Sequence, residues 1–136
     1  MRQELVKQKA GIETSLTNNV VVTSVSEENS VFANLSTSLA EIRKLKGVIG
    51  YIIRSDDSAV IDIADSDSIF QYATLTSEIH ESSVDIAKQF NLGIAESVLL
   101  EGENIKVLCL DISDNKIGVF MEKSANHAGI IKRILL

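Results

Sequence analysis

From about residue 29 onward the hydrophobic and polar positions alternate between two periods, one helical and one extended. In "NSVFANLSTSLAEIRKLKG", Val31, Leu35, Leu39, Ile42 and Leu45 recur at helical spacing. This predicts an amphipathic helix with Asn29 or Ser30 as its N-cap and Gly47 at its end. The next run, "VIGYIIR", is apolar at both alternations, as a central strand covered on two faces requires, and periodicity alone leaves a buried helix open. "SDDS" supplies turn residues and "AVIDIA" a second strand, so the pair reads as a hairpin. From Asp67 to about Asn91 the helical period returns, capped at Ser66 or Asp67 and closed by Gly93. Three strands follow: "AESVLLE", "NIKVLCLD" after the Gly102 turn, and "KIGVFME" after the "SDN" turn at 113–115. Ser124 is placed to cap a last helix, with Ile130, Ile131, Ile134 and Leu135 inward and Lys132 and Arg133 near its negative end.

The order is helix, two strands, long helix, three strands, helix. Five short strands joined by tight turns predict an antiparallel sheet, and three amphipathic helices must be buried on it, which makes an α+β sandwich. Residues 1–28 stand outside this 29–136 block as an N-terminal extension. Within it "NNVVVTSVS" is a candidate sixth strand, and residues 2–9 read as a short helix or a frayed tail. No repeat or low-complexity tract points to an array or a linker.

Projected at about 100° per residue, the long helix separates two apolar groups. Tyr72, Leu75, Ile79, Ile86 and Phe90 form a bulky stripe, and Ile69, Ala73, Thr76, His80, Val84 and Ala87 a smaller, mixed one. Gln71, Glu78, Glu81, Asp85 and Gln89 take the solvated side. A surface helix of a monomer needs one buried stripe somewhat over 100° wide, and these two span roughly twice that. The bulky stripe is expected on the domain's own sheet. The small stripe, with Ser83 beside it, would let a second copy of the same helix approach about a two-fold axis. The alternative is that the terminal helices or the N-terminal segment cover it.

Composition narrows the function classes. The 136 residues suit one domain with a real core, and 45% hydrophobic with 24% charged residues is globular rather than disordered. A formal charge of -6 leaves no basic excess for phosphates, which argues against nucleic acid. No apolar run approaches the roughly 20 residues of a membrane span. The charged N-terminus is not a secretory signal, and the one cysteine, Cys109 in "VLCL", reads as a buried, inert thiol in a cytoplasmic protein.

Chemistry-bearing motifs fail one by one. In "EIHESSVDI", Val84 stands where H-E-x-x-H needs its second histidine, so His80 reads as a half-buried packing residue or as one facing its counterpart across a pH-sensitive dimer. The acids Asp56-Asp57 and Asp65-x-Asp67 do not complete a calcium loop, and His127 lies in the first turn of the last helix as a surface residue. There is no phosphate-binding glycine loop, no G-x-S-x-G, and no metal-ligand spacing. Neither a cofactor nor an enzymatic activity is expected.

Three stretches in order, "LKGVIGYIIRSDDSAVIDIADSD", "LGIAESVLLEGENIKVLCLDISDNKIGVFMEKSAN" and "AGIIKRIL", resemble the Roadblock / dynein light chain family over about residues 29–136. The resemblance implies a five-stranded antiparallel, profilin-like sheet sandwiched between the long helix and two terminal helices. It also implies dimerisation through that helix and the following edge strand, here with Ser97, Leu99 and Glu101 joining the helical residues named above. Family members regulate or scaffold small Ras-like GTPases, so a homodimer that binds such a GTPase and scaffolds or modulates its cycle is the expectation. Arg43 and Arg54 are the nearest candidates for an arginine finger, and each reads better as a surface or hairpin charge. A light-chain-like assembly subunit without a GTPase is the alternative. A PAS-like ligand sensor finds little support in two tyrosines and four phenylalanines. Two departures are the long N-terminus and the spacing in "SANHAGII", which differs from the shorter Asn-x-Gly usual in the family.

Overall fold

A computed structural model describes the backbone of residues 15–17 and 20–24, and residues 30–136 in full. Strands β1 (Ser15–Thr17) and β2 (Val20–Ser24) precede helix α1 (Ser30–Ile42) and the hairpin β3 (Val48–Arg54) and β4 (Ala59–Ile63). A 3-10 turn (Ser66–Ser68) leads into α2 (Ile69–Gln89), followed by β5 (Ser97–Glu101), β6 (Ile105–Ile112), β7 (Asn115–Glu122) and α3 (His127–Leu135). Among the described residues seven strands form one sheet in the order β1-β2-β4-β3-β7-β6-β5, with every pair antiparallel. The five strands read from the sequence are its centre and one edge. The candidate sixth strand is β2, which sets Val21 opposite Ile61. The suggested helix or tail at residues 2–9, and Asn29 as a cap, lie outside the described residues.

Alternation along each strand sends successive side chains to opposite layers. Leu108 and Leu110 of β6 with Ile117, Val119 and Met121 of β7 meet Phe32, Leu35 and Leu39 of α1 and Ile130 and Ile134 of α3. Val107, Cys109 and Phe120 point the other way, toward α2. The expected sandwich is therefore present, with α2 alone on one face and the terminal helices on the other. Leu135, expected inward on α3, is 63% exposed, because a nine-residue helix with Ile130 and Ile134 seated turns it outward.

The helix ends differ from the expected caps by one or two residues. Asp65, rather than Ser66 or Asp67, accepts from the Asp67 N–H and from the Ser68 hydroxyl, and Asn126, rather than Ser124, accepts from the Gly129 N–H to start α3. Between β6 and β7, Ser113 and Asp114 both take positive φ, the two-residue turn whose twist matches the flanking strands. Asn115, fully buried, ties that turn by donating to the Ile112 and Ser113 carbonyls.

One glycine decides how close α2 comes to the sheet. A Cβ on Gly118, in the middle of β7, would collide with Thr76 Cγ2 of α2. Alanine is intrinsically better than glycine in a strand by roughly 0.5–1 kcal/mol, yet overpacking costs about 1–3 kcal/mol, so the collision decides the sign. Gly118→Ala should lower the urea midpoint of unfolding, and adding Thr76→Ser, which removes the colliding methyl, should restore part of the loss. An unchanged midpoint in the single variant would show that α2 does not seat on β7 in this way.

Candidate functional site

Helix α2 lies on the sheet through its small residues. Thr76, His80 and Ala87 are buried, and Ile69 and Ala73 are half-buried against the cluster around Phe120. The small stripe, expected to face a partner, thus packs inward, and of the bulky stripe expected there only Tyr72, Leu75 and Ile79 do so. The physical reason is the close approach at Gly118, which leaves no height for large side chains directly under the helix axis. The bulky stripe instead flanks the contact. Tyr72 stacks on Phe120 at 4.4 Å between ring centroids, and Leu75 and Ile79 are half-buried beside it. Nearer the C-terminus the same stripe emerges into water, with Ile86 at 53% and Phe90 at 68% exposure.

The chain after α2 extends this apolar surface. Asn91 takes φ 56°, the Asn91 N–H donates to the Lys88 carbonyl and the Leu92 N–H to the Ala87 carbonyl, which is a Schellman ending built on asparagine two residues before Gly93. Leu92 and Ile94 then follow, the latter 83% exposed, and β5 turns Val98 and Leu100 to the same side. Together with Ile79, Ser82, Ser83 and Ile86 they line a groove of ≈ 470 Å³ between α2 and β5. Among the described residues β5 is also an edge strand, bonded to β6 on one side only.

The residues expected at a dimer interface therefore divide. Ser83, Ala87 and Ser97 line the groove, while Ile69, Ala73, Thr76 and His80 belong to the internal contact. Val84, 44% exposed, sits on the far flank of α2. Leu99 packs toward the α1 and α3 layer, and Glu101, two residues on, shares its alternation and is exposed. Sequence reading missed Leu92, Ile94 and Leu100 and placed Ile86 and Phe90 on the inner side. The available signal was the apolar residue at every second place in "FNLGI", directly after a helix end.

A profile of the Roadblock/LC7 domain matches residues 35–117, which is more than half of the chain. The chain belongs to the Roadblock/LC7 family. Its fold is similar to the crystal structure of a Roadblock/LC7 domain from Streptomyces avermitilis, with a TM-score of 0.59 at 17% identity over 81% of this chain and 90% of that one. No curated protein matches. Roadblock/LC7 domains form a family of small non-enzymatic adaptors and regulators.

In this Roadblock/LC7 chain the reactive groups are held in quiet states. Burial pushes the Cys109 thiol up to about 12, so it is not a thiolate at neutral pH. Arg43 pairs with Asp62 at 3.4 Å and donates to the Val48 carbonyl, and Arg54 reaches Ser77 Oγ. Among the described residues no three His, Cys, Asp or Glu side chains converge to hold a metal, and no described helix is long and apolar enough to cross a membrane.

His80 has structural consequences of another kind. It sits under α2 with a backbone hydrogen bond to Ile117, and faces Arg54, Lys116 and Asp111, the last of which already holds Lys116 at 2.6 Å. Burial first, then the Arg54 and Lys116 charges, hold its pKa below the ordinary 6.5. The unfolded chain therefore binds this proton more readily than the folded one. Stability is fully present above pH about 6.5 and falls as the pH drops through that value. His80→Gln, which keeps a donor for Ile117, should flatten the dependence of the urea midpoint between about pH 7.5 and 5.5. An identical slope in both proteins would remove His80 from the account.

Proposed function

We propose that two copies pair through the α2–β5 groove and the free β5 edge, and that the resulting homodimer binds a small Ras-like GTPase and scaffolds or modulates its cycle. The groove carries the first half of this reading. Each exposed Ile, Leu or Phe forgoes roughly 1.5–3 kcal/mol available on burial, and several of them lie contiguous beside an unpaired strand edge. A two-fold axis near Ser82 and Ser83 would set these small residues at a close helix crossing, with Ile79 and Ile86 at either side at i, i+3, i+4 and i+7 spacing. Pairing of two β5 strands would satisfy the edge at the same time.

Family membership supports the second half. With Arg43 held by Asp62 and Val48, and Arg54 at Ser77, neither is free to be offered to a phosphate without breaking a contact. The dimer would act by positioning the GTPase's own groups. Its site of action is then in the soluble interior of the cell, where such GTPases work.

Light scattering after gel filtration at micromolar concentration should give twice the 14.8 kDa chain mass. Ile86→Glu with Phe90→Glu, both at exposed positions, should give the mass of one folded chain. The wild-type dimer should retain one or more small GTPases of its own cell and the double variant should not. A wild-type monomer would sink the dimer, and a dimer that retains only other proteins would replace the GTPase reading with a light-chain-like docking role.

A further inference from the structure

A second groove lies on the opposite face of the sheet, where α3 ends beside β5 and β6. Ile94, Leu110, Ile112, Ile131 and Leu135 form its apolar floor and walls, in a cavity of ≈ 480 Å³. Two of these, Ile94 and Leu135, stand largely in water at 83% and 63% exposure. The charged lining is of one sign. Glu96, Asp111 and Asp114 all border it, and among the described residues no Lys or Arg does. Asp111 already holds Lys116, so Glu96 and Asp114 set the charge of the rim. Lys132 and Arg133 of α3 are exposed but do not line it.

We infer that this groove docks an amphipathic segment of a partner protein that places two or three aliphatic side chains on the floor and lysine or arginine toward Glu96 and Asp114. The argument is charge complementarity. An acidic rim around an apolar floor repels a like-charged segment and attracts a basic one, and this is most selective where the floor alone would accept any aliphatic chain. A second copy of this chain, with its own charge of -6, is the poorer occupant. The cavity volume suits a few side chains and not a folded domain, which points to one face of a helix or an extended segment. The docking does not rest on the dimer or GTPase reading, because the floor lies mainly on the α3 side and the α2–β5 groove on the other.

The test uses the full chain with isotope-labelled Ile and Leu methyls and a synthetic helical peptide carrying leucine at i, i+3 and i+7 flanked by lysine. The methyls of Leu110, Ile112, Ile131 and Leu135, which line this groove alone, should shift on titration. The same peptide with glutamate for lysine should bind at least about tenfold more weakly, and raising the salt should narrow that difference. Leu135→Lys and Glu96→Lys, both at exposed positions, should each weaken the lysine peptide while leaving the unfolding midpoint in place. Equal binding of the two peptides, or shifts confined to Ile86 and Leu100, would overturn the inference. Shifts of the groove methyls on concentrating the chain without peptide would assign the groove to a second copy and overturn it equally.

Discussion

The close contact between α2 and β7 at Thr76 and Gly118 sets the rotation of the long helix about its own axis, and much of the surface follows from that rotation. With the missing side chain on β7, the helix descends until Thr76, His80 and Ala87 touch the sheet. The bulky residues are then displaced to one flank. Tyr72 near the start of α2 still finds Phe120 to stack on, whereas Ile86 and Phe90 near the end have only the short edge strand β5 beside them. The Schellman ending at Asn91 turns the chain so that Leu92 and Ile94 enlarge the same apolar surface. One absent methyl group thus determines which side of a 21-residue helix meets water.

The elements were largely legible because each carries its own period or turn chemistry. Continuous apolar runs bounded by turn residues marked β3, β6 and β7, and the two-sided burial of "VIGYIIR" reflects a strand placed between β4 and β7 with helices on both faces. The excess apolar surface of α2 was legible too, since it follows from counting residues around a wheel. Its direction was not. Helical projection gives angles between side chains and says nothing about the height of the helix above the sheet, which depends on Gly118, 42 positions away from Thr76 in sequence. The same limit applies to Leu99 and Leu100, whose faces exchange with a register shift of one. Cap positions moved because Asp65, Ser66, Asp67 and Ser68 are all competent caps, and the choice among them depends on where β4 delivers the chain.

Polar and apolar roles occupy separate parts of α2. Its middle, at Ser77 and His80, meets the ends of β3 and β7, where Arg54, Lys116 and Asp111 gather. The C-terminal third carries Ile86 and Phe90 beside β5. Charge that accumulates under the helix therefore acts on its seating, apart from the groove.

The far side of the sheet has its own consequence. There β2 covers β4, and the outermost of the described strands, β1, is three residues long. A strand that short offers few amide groups as a template, whereas β5 offers five residues. A sheet with one serviceable margin can be lengthened once and no further, since two such margins that meet consume each other. Were two copies to join through β5, the short β1 margin would offer little template for a further chain, and the assembly would close at two rather than run on into fibres.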